Sequence, residues 1–277
     1  EGAVGAKLFD RQSRPLRLTP VGQMLRAHAH KILKTVSDAQ AELSEHNLVD
    51  LPKLTLAIID DLDTSLTPVL VANLQRRFRG CFVNAYSGRS DHMMEMLQNR
   101  DVDICVSALL PEDTNTFRSI PILREPFILV TAKGLLRKDQ DTLEQLSNAP
   151  FIPYSDDIPI GRTITQHLRR VRFDTPRRLA FEASRSVIAM VVQDKGWTIT
   201  SPLNLLDGER FFPQIDVLQV PFPAFSREVY LIARTTELGD LPDRLAEDCR
   251  QLIESQVSPR FAGFVPHMAD AIEAITI

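Results

Sequence analysis

Acidic and hydroxyl side chains stand directly after the strands that the sequence predicts. Asp60 and Asp61 follow a predicted strand at residues 54–59, and Ser90 caps the helix after the next strand. The other candidates of this kind are Tyr154, Ser155, Thr200 and Ser201. In open α/β sheets, ligands lie beyond the carboxyl ends of strands and against the N-termini of helices. These residues are therefore the predicted binding site for a small polar ligand.

The adjacent carboxylates of Asp60 and Asp61 indicate the chemical class of that ligand. Two carboxylates repel an anion, so a ligand with an amine, a guanidine or several hydroxyl groups is favoured. The alternative is that both aspartates only cap the following helix and interact with its dipole. The sequence contains no G-x-S-x-G, H-E-x-x-H or Walker motif and no CxxC pair,. It therefore predicts no enzyme, no cofactor and no metal site.

Basic residues are concentrated at the start of the chain. The first 20 residues hold four basic and two acidic side chains, a balance of +2, whereas the whole chain carries −4. Arg11, Arg14 and Arg17 lie on a predicted hairpin, from which they would contact phosphates or a narrow minor groove of double-stranded DNA. A short basic segment on an otherwise acidic chain is typical of proteins in which only a small part binds nucleic acid. The alternative is a solvated basic hairpin.

A long helix is predicted to follow, with Thr19 as its N-cap and Pro20 at its first position. Its apolar residues recur alternately every four and three residues, which is the spacing of a coiled-coil seam. The large residues of this seam are Leu25, Ile32, Val36 and Leu43. A helix packed on its own chain would show a wider apolar stripe. The seam therefore predicts pairing with the same helix of a second subunit.

The segment VGAKLFDRQSRPLRLTPVGQML resembles the wing and the linker-helix entry of LysR-type transcriptional regulators. The residues that fit are Val4, Gly5, Leu8, Phe9, Arg11, Leu18, Thr19 and Gly22. Two later segments, NRDVDICV and VVQDKGWTITSP, are similar to family segments and occur in the expected order. The resemblance implies a cytoplasmic, homodimeric or homotetrameric DNA-binding regulator. It also implies that a winged helix-turn-helix precedes the wing, so that the base-reading helix is absent from this chain.

Beyond Pro52 the predicted strands and helices alternate, which indicates an α/β fold around mainly parallel sheets. Residues 151–154 and 177–182 are among the predicted strands. The resemblance implies a long linker helix followed by a two-lobed module like the periplasmic binding proteins. The implied organisation is a wing remnant at 1–18, a dimerising linker helix at 19–52 and an effector-binding domain at 53–277. Lobe one of that domain would comprise 53–131 and 228–277, and lobe two would comprise 132–227.

The family resemblance also bears on the site and on the rival functions. In the family, small hydroxyl residues at the predicted positions bind the carboxylate of the effector; Ser90 and Thr200 conform, whereas Asp60 and Asp61 do not.

A solute-binding protein without a DNA function would share the two-lobed fold, but it predicts an export signal and no dimerising helix. The chain opens with no such signal and has no apolar run long enough to span a membrane,.

The three cysteines predict no redox switch. Some members of the resembled family sense oxidants through paired cysteines in the second lobe. Here Cys81, Cys105 and Cys249 all lie outside residues 132–227. Thiol–disulfide switching is therefore not expected. The last segment, residues 263–277, extends past the usual end of the family and has no role that the sequence predicts.

Overall fold

The computed structural model describes residues 1–2, 4–10, 17–43, 52–176 and 178–275. Strand β1 (Phe9–Asp10) pairs antiparallel with strand β2 (Arg17–Leu18), which confirms the hairpin. Helix α1 (Pro20–Leu43) follows at once. The amide of Gly22 donates a hydrogen bond of 3.0 Å to Thr19 Oγ1, so Thr19 caps the helix as predicted,.

The hairpin rests directly on the first turn of α1. A Cβ atom at Gly22 would lie 2.0 Å from the carbonyl oxygen of Leu8, so this contact requires glycine,. Thr19 Oγ1 also donates to the carbonyl of Lys7 over 2.7 Å. The position of the hairpin relative to the helix is therefore fixed by backbone packing and by one threonine side chain.

The part of the chain after residue 51 forms two lobes, each built on one sheet. The remaining strands are β3 (Lys53–Ile59), β4 (Phe82–Gly88), β5 (Ile104–Ser107), β6 (Phe117–Pro126), β7 (Ile128–Ala132), β8 (Trp197–Thr200), β9 (Ile215–Gln219), β10 (Ser226–Arg234) and β11 (Glu273–Ala274). The helices are α2 (Asp60–Arg77), α3 (Ser90–Gln98), α4 (Thr142–Asn148), α5 (Pro159–Arg170), α6 (Ser184–Gln193), α7 (Pro202–Leu206), α8 (Leu241–Leu252) and α9 (Ser258–Phe264). Short 3-10 helices cover Glu209–Gln214 and Pro266–Ala271, and a π-helical turn covers Ile253–Val257.

Lobe one contains a six-stranded sheet in the order β11-β6-β10-β5-β3-β4, and lobe two a three-stranded sheet in the order β8-β7-β9. In lobe one, β3 is parallel to β4 and to β5, whereas β10 and β11 pair antiparallel. In lobe two, β7 is antiparallel to both of its neighbours. The α/β class is confirmed, but the expectation of mainly parallel sheets holds only for the strands β3 to β5.

Two sequence predictions differ from the structure in lobe two. The segment at 151–154 forms only isolated bridges, Phe151 to Trp197 and Tyr154 to Phe181, and the segment at 177–182 forms no strand in its described part. Strand β7 belongs to the sheet of lobe two, although the sequence assigned residues up to 131 to lobe one. The apolar side chains of β7 would suit a buried strand of either sheet. Only the strand pairing in the structure therefore shows where lobe one ends and lobe two begins.

The chain crosses between the lobes twice, from β6 to β7 and from β9 to β10. At the crossing, the amide of Phe127 donates to the carbonyl of Phe225 over 2.9 Å. The two rings are stacked with centroids 4.2 Å apart and planes 10° apart. Aromatic stacking and a main-chain hydrogen bond thus hold the two crossing segments side by side, which is the geometry of a two-stranded hinge.

Helix α2 is the main helix on lobe one, and its leucine spacing explains its orientation. Leu62, Leu66, Leu70 and Leu74 recur every four residues and are all buried. This stripe packs α2 on the sheet and leaves its first turn, with Asp60, Asp61 and Asp63, at the carboxyl end of β3,. None of the helices in the described part of the chain is both long and apolar enough to cross a membrane.

Candidate functional site

The first turns of α2 and α3 lie at one edge of the lobe-one sheet because β3 and β4 are parallel and end together. A cavity of about 310 Å³ occupies the space between this edge and lobe two. Its polar lining comes from both lobes and from the hinge: Asp60, Asp61, Asp63, Thr64, Arg89, Ser90, Thr163, Glu182, Ser184, Arg185, Asn204, Asp207 and Arg227. Its volume suits a small molecule.

The structure brings some of the predicted site residues together and separates others. Asp60, Asp61 and Ser90 line the cavity. Four further predicted residues lie outside its lining, namely Tyr154, Ser155, Thr200 and Ser201. Conversely, the sequence reasoning missed the charged and amide groups that complete the cavity wall. The missed polar residues are Asp63, Thr64, Arg89, Thr163, Glu182, Ser184, Arg185, Asn204, Asp207 and Arg227.

Arg227 is the centre of the polar network beneath the cavity. Its Nη2 atom donates to Asp61 Oδ2 at 2.7 Å and to Ser201 Oγ at 2.9 Å, and its Nε atom donates to Glu125 Oε1 at 2.7 Å. Burial lowers the pKa of Arg227, but the carboxylates of Glu125 and Asp61 raise it by more, so the net shift is upward. Arg227 is therefore charged throughout the usual pH range and neutralises part of the acidic wall.

Asn204 connects this network to lobe two. Its Nδ2 atom donates to Asp61 Oδ2 over 2.8 Å and to Ser201 Oγ over 3.0 Å, and its Oδ1 atom accepts from Ser184 Oγ. Ser201 is also the N-cap of α7. Because Asp61 belongs to lobe one and Asn204 to lobe two, their hydrogen bond spans the cleft.

Tyr154 and Thr200 form a pair behind the cavity wall. The Tyr154 hydroxyl and Thr200 Oγ1 are 2.8 Å apart, and both side chains are buried. Burial raises the pKa of Tyr154 to about 12, so its phenol is neutral. Tyr154 is also hydrogen-bonded to Ser184, which does line the cavity. The pair therefore supports the wall instead of forming it.

Ser155 takes part in a local turn. Its Oγ atom donates to Asp157 Oδ2 at 3.2 Å and accepts from the amide of Asp157 at 3.2 Å. A Cβ atom at Gly161 would lie 1.9 Å from the carbonyl oxygen of Ser155, so the first turn of α5 packs tightly on this segment. These contacts give Ser155 a structural role at the entry to α5.

Asp60 lies in an acidic corner of the cavity. Its pKa is raised, first by burial and then by the neighbouring carboxylates of Asp61 and Asp63, while Arg185 lowers it. Within the described part of the chain, neither Asp60 nor Asp63 forms an ion pair. Arg227 neutralises Asp61, whereas Asp60 and Asp63 are opposed only by the more distant charge of Arg185.

Arg89 closes the opposite side of the cleft. It lies just before α3 and donates from Nε and Nη2 to Asp91 at 3.1 and 2.7 Å. It also reaches lobe two, where Nη1 donates to Glu182 Oε2 at 3.4 Å and Nη2 to the carbonyl of Asp157 at 3.2 Å. Hydrogen bonds thus bridge the lobes at both ends of the cavity, one set from Arg89 and one from Asn204.

The predicted DNA and dimer residues are described only in part. Arg11 and Arg14 lie outside the described residues, and of Arg17 only the backbone pairing with Asp10 is described. On α1, Ile32 is 65% exposed and Val36 is 52% exposed. Leu25 is also exposed, whereas the side chain of Leu43 lies outside the described part. The three seam residues whose side chains are described are therefore uncovered in this single chain.

The chemistry of the cavity wall is that of hydrogen bonding and charge. Carboxylates, guanidinium groups, an amide and hydroxyls surround a partly apolar floor. In the ranges that the structure describes, no group of three or more His, Cys, Asp or Glu side chains is placed to hold a metal ion. Polar groups of this kind, converging on a small cavity, recognise a small polar molecule.

Comparison with known proteins identifies the family. The family model described as the LysR substrate binding domain matches residues 50–256, which is most of the chain. The chain belongs to the LysR family. It is 20% identical over 231 residues to the uncharacterized HTH-type transcriptional regulator YybE of Bacillus subtilis, covering 83% of this chain and 77% of YybE.

Solved structures of LysR regulators share its fold. A cysteine mutant of Corynebacterium glutamicum OxyR, bound to H2O2, aligns with 100% of this chain and 85% of its own at a TM-score of 0.65 and 18% identity. The CcmR regulatory domain of Synechocystis PCC6803, in complex with 2-PG, aligns with 74% of this chain and 98% of its own at a TM-score of 0.60 and 17% identity. The two-lobed region is thus the LysR effector-binding domain, with its fold like that of periplasmic binding proteins. LysR regulators bind DNA and small effectors and oligomerise.

Proposed function

We propose that this LysR-type regulator senses a small polar effector in the cleft between its lobes, and that the effector carries an amine, a guanidine or several hydroxyl groups. The observation that carries the effector class is the acidic corner of the cavity. Asp60 and Asp63 face the same space as Asp61 and have no ion pair in the described part of the chain. A cationic group there would offset the burial and the carboxylate repulsion that together raise the pKa of Asp60,.

The structure changes which residues support this proposal. In the sequence, the pair Asp60 and Asp61 favours a cation, but in the structure Arg227 neutralises Asp61. Asp60 and Asp63 therefore supply the negative charge, and Arg227 and Asn204 orient Asp61. Ser90 and Ser184 supply hydroxyl groups from the two lobes. Tyr154, Thr200 and Ser201 act indirectly, because they position Ser184 and Arg227.

Effector binding would act on the distance between the lobes. Arg89 and Asn204 form hydrogen bonds between the lobes. A ligand that replaces these with more favourable contacts would stabilise one arrangement of the lobes relative to another. In a homodimer or homotetramer joined by α1, that change would alter the spacing of the DNA-reading domains on double-stranded DNA. The regulator would therefore act in the cytoplasm as a DNA-binding protein and not as an enzyme.

Relatives of this fold bind different small molecules. OxyR of Corynebacterium glutamicum was solved with H2O2 and the CcmR domain with 2-PG. Nothing in this cavity favours peroxide sensing, because all three cysteines lie elsewhere and burial raises the pKa of each thiol, for Cys105 and Cys249 to about 12. The acidic corner favours a cation instead.

A thermal-shift panel tests the effector class. The panel should contain amines (putrescine, agmatine), polyols (glucitol) and carboxylates (benzoate, succinate), measured on the wild type, Asp60→Asn and Asp194→Asn. Asp194 is exposed and does not line the cavity, so it is the matched control. We expect an amine or polyol to raise the Tm, and an amine to bind roughly tenfold more weakly to Asp60→Asn, which corresponds to about 1.4 kcal/mol. If only carboxylates raise the Tm, and raise it equally in Asp60→Asn, the proposed preference for a cation is contradicted.

A further inference from the structure

A second cavity, of about 850 Å³, shares no lining residue with the cleft between the lobes. It lies along β9, the edge strand of the lobe-two sheet, which contributes residues 215–219. The C-terminal segment forms the facing wall through Phe264, Val265 and His267. These three residues come after residue 256, where the family match ends. The cavity is therefore built partly from a segment outside the matched domain.

Specific contacts join the two walls in this arrangement of the lobes. The rings of Phe212 and Phe264 meet edge to face with centroids 4.5 Å apart. The Nε2 atom of His267 lies 2.9 Å from the carbonyl oxygen of Val217. At the base of the segment, Arg260 donates to Glu209 Oε2 at 2.6 Å. The groove is thus a formed feature, with an aromatic pair at one end and a histidine at the strand edge.

The lining combines an apolar surface with cations at the rim. Leu136, Ile215 and Pro221 add to the aromatic rings, and Phe264 remains 49% exposed beside the groove. Arg137 and Lys138 line the groove, and neither side chain is paired within the described part of the chain. The carboxylate of Asp216 already accepts from the amide of Gly134 at 2.7 Å.

The loop that carries the two cations is held in place. Gln145 accepts from the amide of Arg137 through Oε1 at 2.8 Å and donates from Nε2 to its carbonyl at 3.1 Å. The backbone of Arg137 is therefore anchored on α4 while its side chain is left for another partner. A guanidinium and an ammonium above an apolar groove fit a molecule with one anionic head and an apolar body.

We propose that this groove is a second ligand site, which binds an amphipathic carboxylate. The carboxylate would lie between Arg137 and Lys138, with Thr142 as a further donor, and the apolar body would lie along β9 against Phe212 and Phe264. The charge preference is opposite to that of the cleft, where Asp60 and Asp63 favour a cation. The two sites therefore take different ligands.

The groove also spans both lobes, which gives the second ligand a means to act. Phe264 and His267 belong to a segment whose end, β11, pairs with β6 of lobe one. Phe212 and Val217 belong to lobe two. A ligand between these walls has a different affinity for different lobe arrangements, so its binding is linked to effector binding in the cleft.

Isothermal titration calorimetry of the full chain tests this site with three probes of matched tail, namely octanoate, octylamine and octanol. We expect octanoate to bind best. In the variant Arg137→Ala with Lys138→Ala, octanoate should bind at least roughly tenfold more weakly, since both charge-assisted hydrogen bonds are lost. The control variant, Arg169→Ala with Arg170→Ala, removes two exposed cations of the same lobe that do not line the groove. Octanoate should bind to it as to the wild type.

Two further variants separate the groove from the cleft. Gln219→Trp fills the groove, and Thr64→Trp narrows the cleft, both at exposed positions. We expect octanoate binding to be lost in Gln219→Trp and kept in Thr64→Trp. The proposal is overturned if octanoate does not bind, if octylamine binds as well as octanoate does to Thr64→Trp, in which the cleft is narrowed, or if octanoate binding is lost in Thr64→Trp and kept in Gln219→Trp. None of these outcomes depends on whether an amine binds in the cleft.

Discussion

Arg227 donates from Nη2 to Asp61 Oδ2 across 2.7 Å, which joins the strand leaving the hinge to the first turn of α2. The same guanidinium donates to the buried Glu125 on the other crossing segment. One side chain thus connects the hinge, the floor of the cavity and the helix that carries the acidic corner. Its charge is needed at this point because it stands between two carboxylates.

Removing this guanidinium should destabilise the domain strongly. In Arg227→Ala, Glu125 stays buried without its cation, and we expect the free energy of unfolding to fall by about 3–5 kcal/mol. Urea denaturation followed by circular dichroism measures the change. The matched control is Arg124→Ala, whose side chain is exposed and whose partner Glu228 is half-buried, so the loss there should be much smaller. Equal losses in the two variants would contradict a central role for Arg227.

The pairing of Arg89 with Asp91 predicts a pH-dependent contribution to stability. The hydrogen bond from Arg89 lowers the pKa of Asp91 below its ordinary value of 3.8. A carboxyl group with a lowered pKa stabilises the folded state above its unfolded pKa, and this stabilisation is lost as the pH falls through the folded pKa. Asp91→Asn should therefore lower the free energy of unfolding by about 0.5–1 kcal/mol at pH 7 and change it little once the pH lies below the folded pKa of Asp91. A loss that persists at the lower pH would indicate a packing effect instead.

The exposed seam on α1 predicts dimerisation. Ile32→Asp with Val36→Asp would place charges in an apolar interface, at a cost of several kcal/mol, and should yield monomers. Sedimentation velocity at micromolar concentration measures the assembly. Gln23→Asp with Ala27→Asp adds the same two charges outside the seam and should leave the dimer intact. A wild type that sediments as a monomer would overturn the prediction.

The cysteines should not respond to mild peroxide. Burial raises the pKa of Cys105 and Cys249 to about 12 and also raises that of Cys81, so little thiolate is present at neutral pH,. We expect mass spectrometry after peroxide treatment to find no intramolecular disulfide. A single disulfide species in high yield would show that the chain contains a redox switch after all.

DNA binding by this chain should be weak and sensitive to salt. The predicted contacts of Arg11, Arg14 and Arg17 are to phosphate or the minor groove, which positions a protein without specifying bases. We expect Arg14→Ala to weaken binding to all duplex sequences about equally, as measured by fluorescence anisotropy at several salt concentrations. A change in sequence preference would show that the wing reads bases.

The features that the sequence predicted are local ones. Thr19 and Pro20 mark a helix start because capping chemistry involves only neighbouring residues,. The hydrogen bond of Arg227 to Glu125, in contrast, joins residues 102 positions apart, and that of Asn204 to Asp61 joins residues 143 apart. Nothing in the sequence near Arg227 signals these partners. The lone hint is its place at the predicted lobe boundary, where crossing segments meet.

Of the site residues predicted at the strand ends, only some line the cavity. Asp60, Asp61 and Ser90 reach the cavity because β3 and β4 are parallel neighbours. Tyr154 and Thr200 also end their segments near the cleft, yet they bond to each other behind its wall. The direction of a side chain at a strand end depends on tertiary packing. The hydrophobic periodicity of the sequence does not predict that packing.

The two residues of β11 cover one margin of the six-stranded sheet. Without them, β6 would be the outermost strand, and its backbone at Leu123 and Arg124 would lose its antiparallel partner. Open strand edges pair with other chains and promote aggregation. A chain that stopped at residue 256, where the family match ends, would lose this cover together with the buried Phe261, Val265 and Ile272. The C-terminal segment therefore also disfavours self-association of the regulator through this sheet edge.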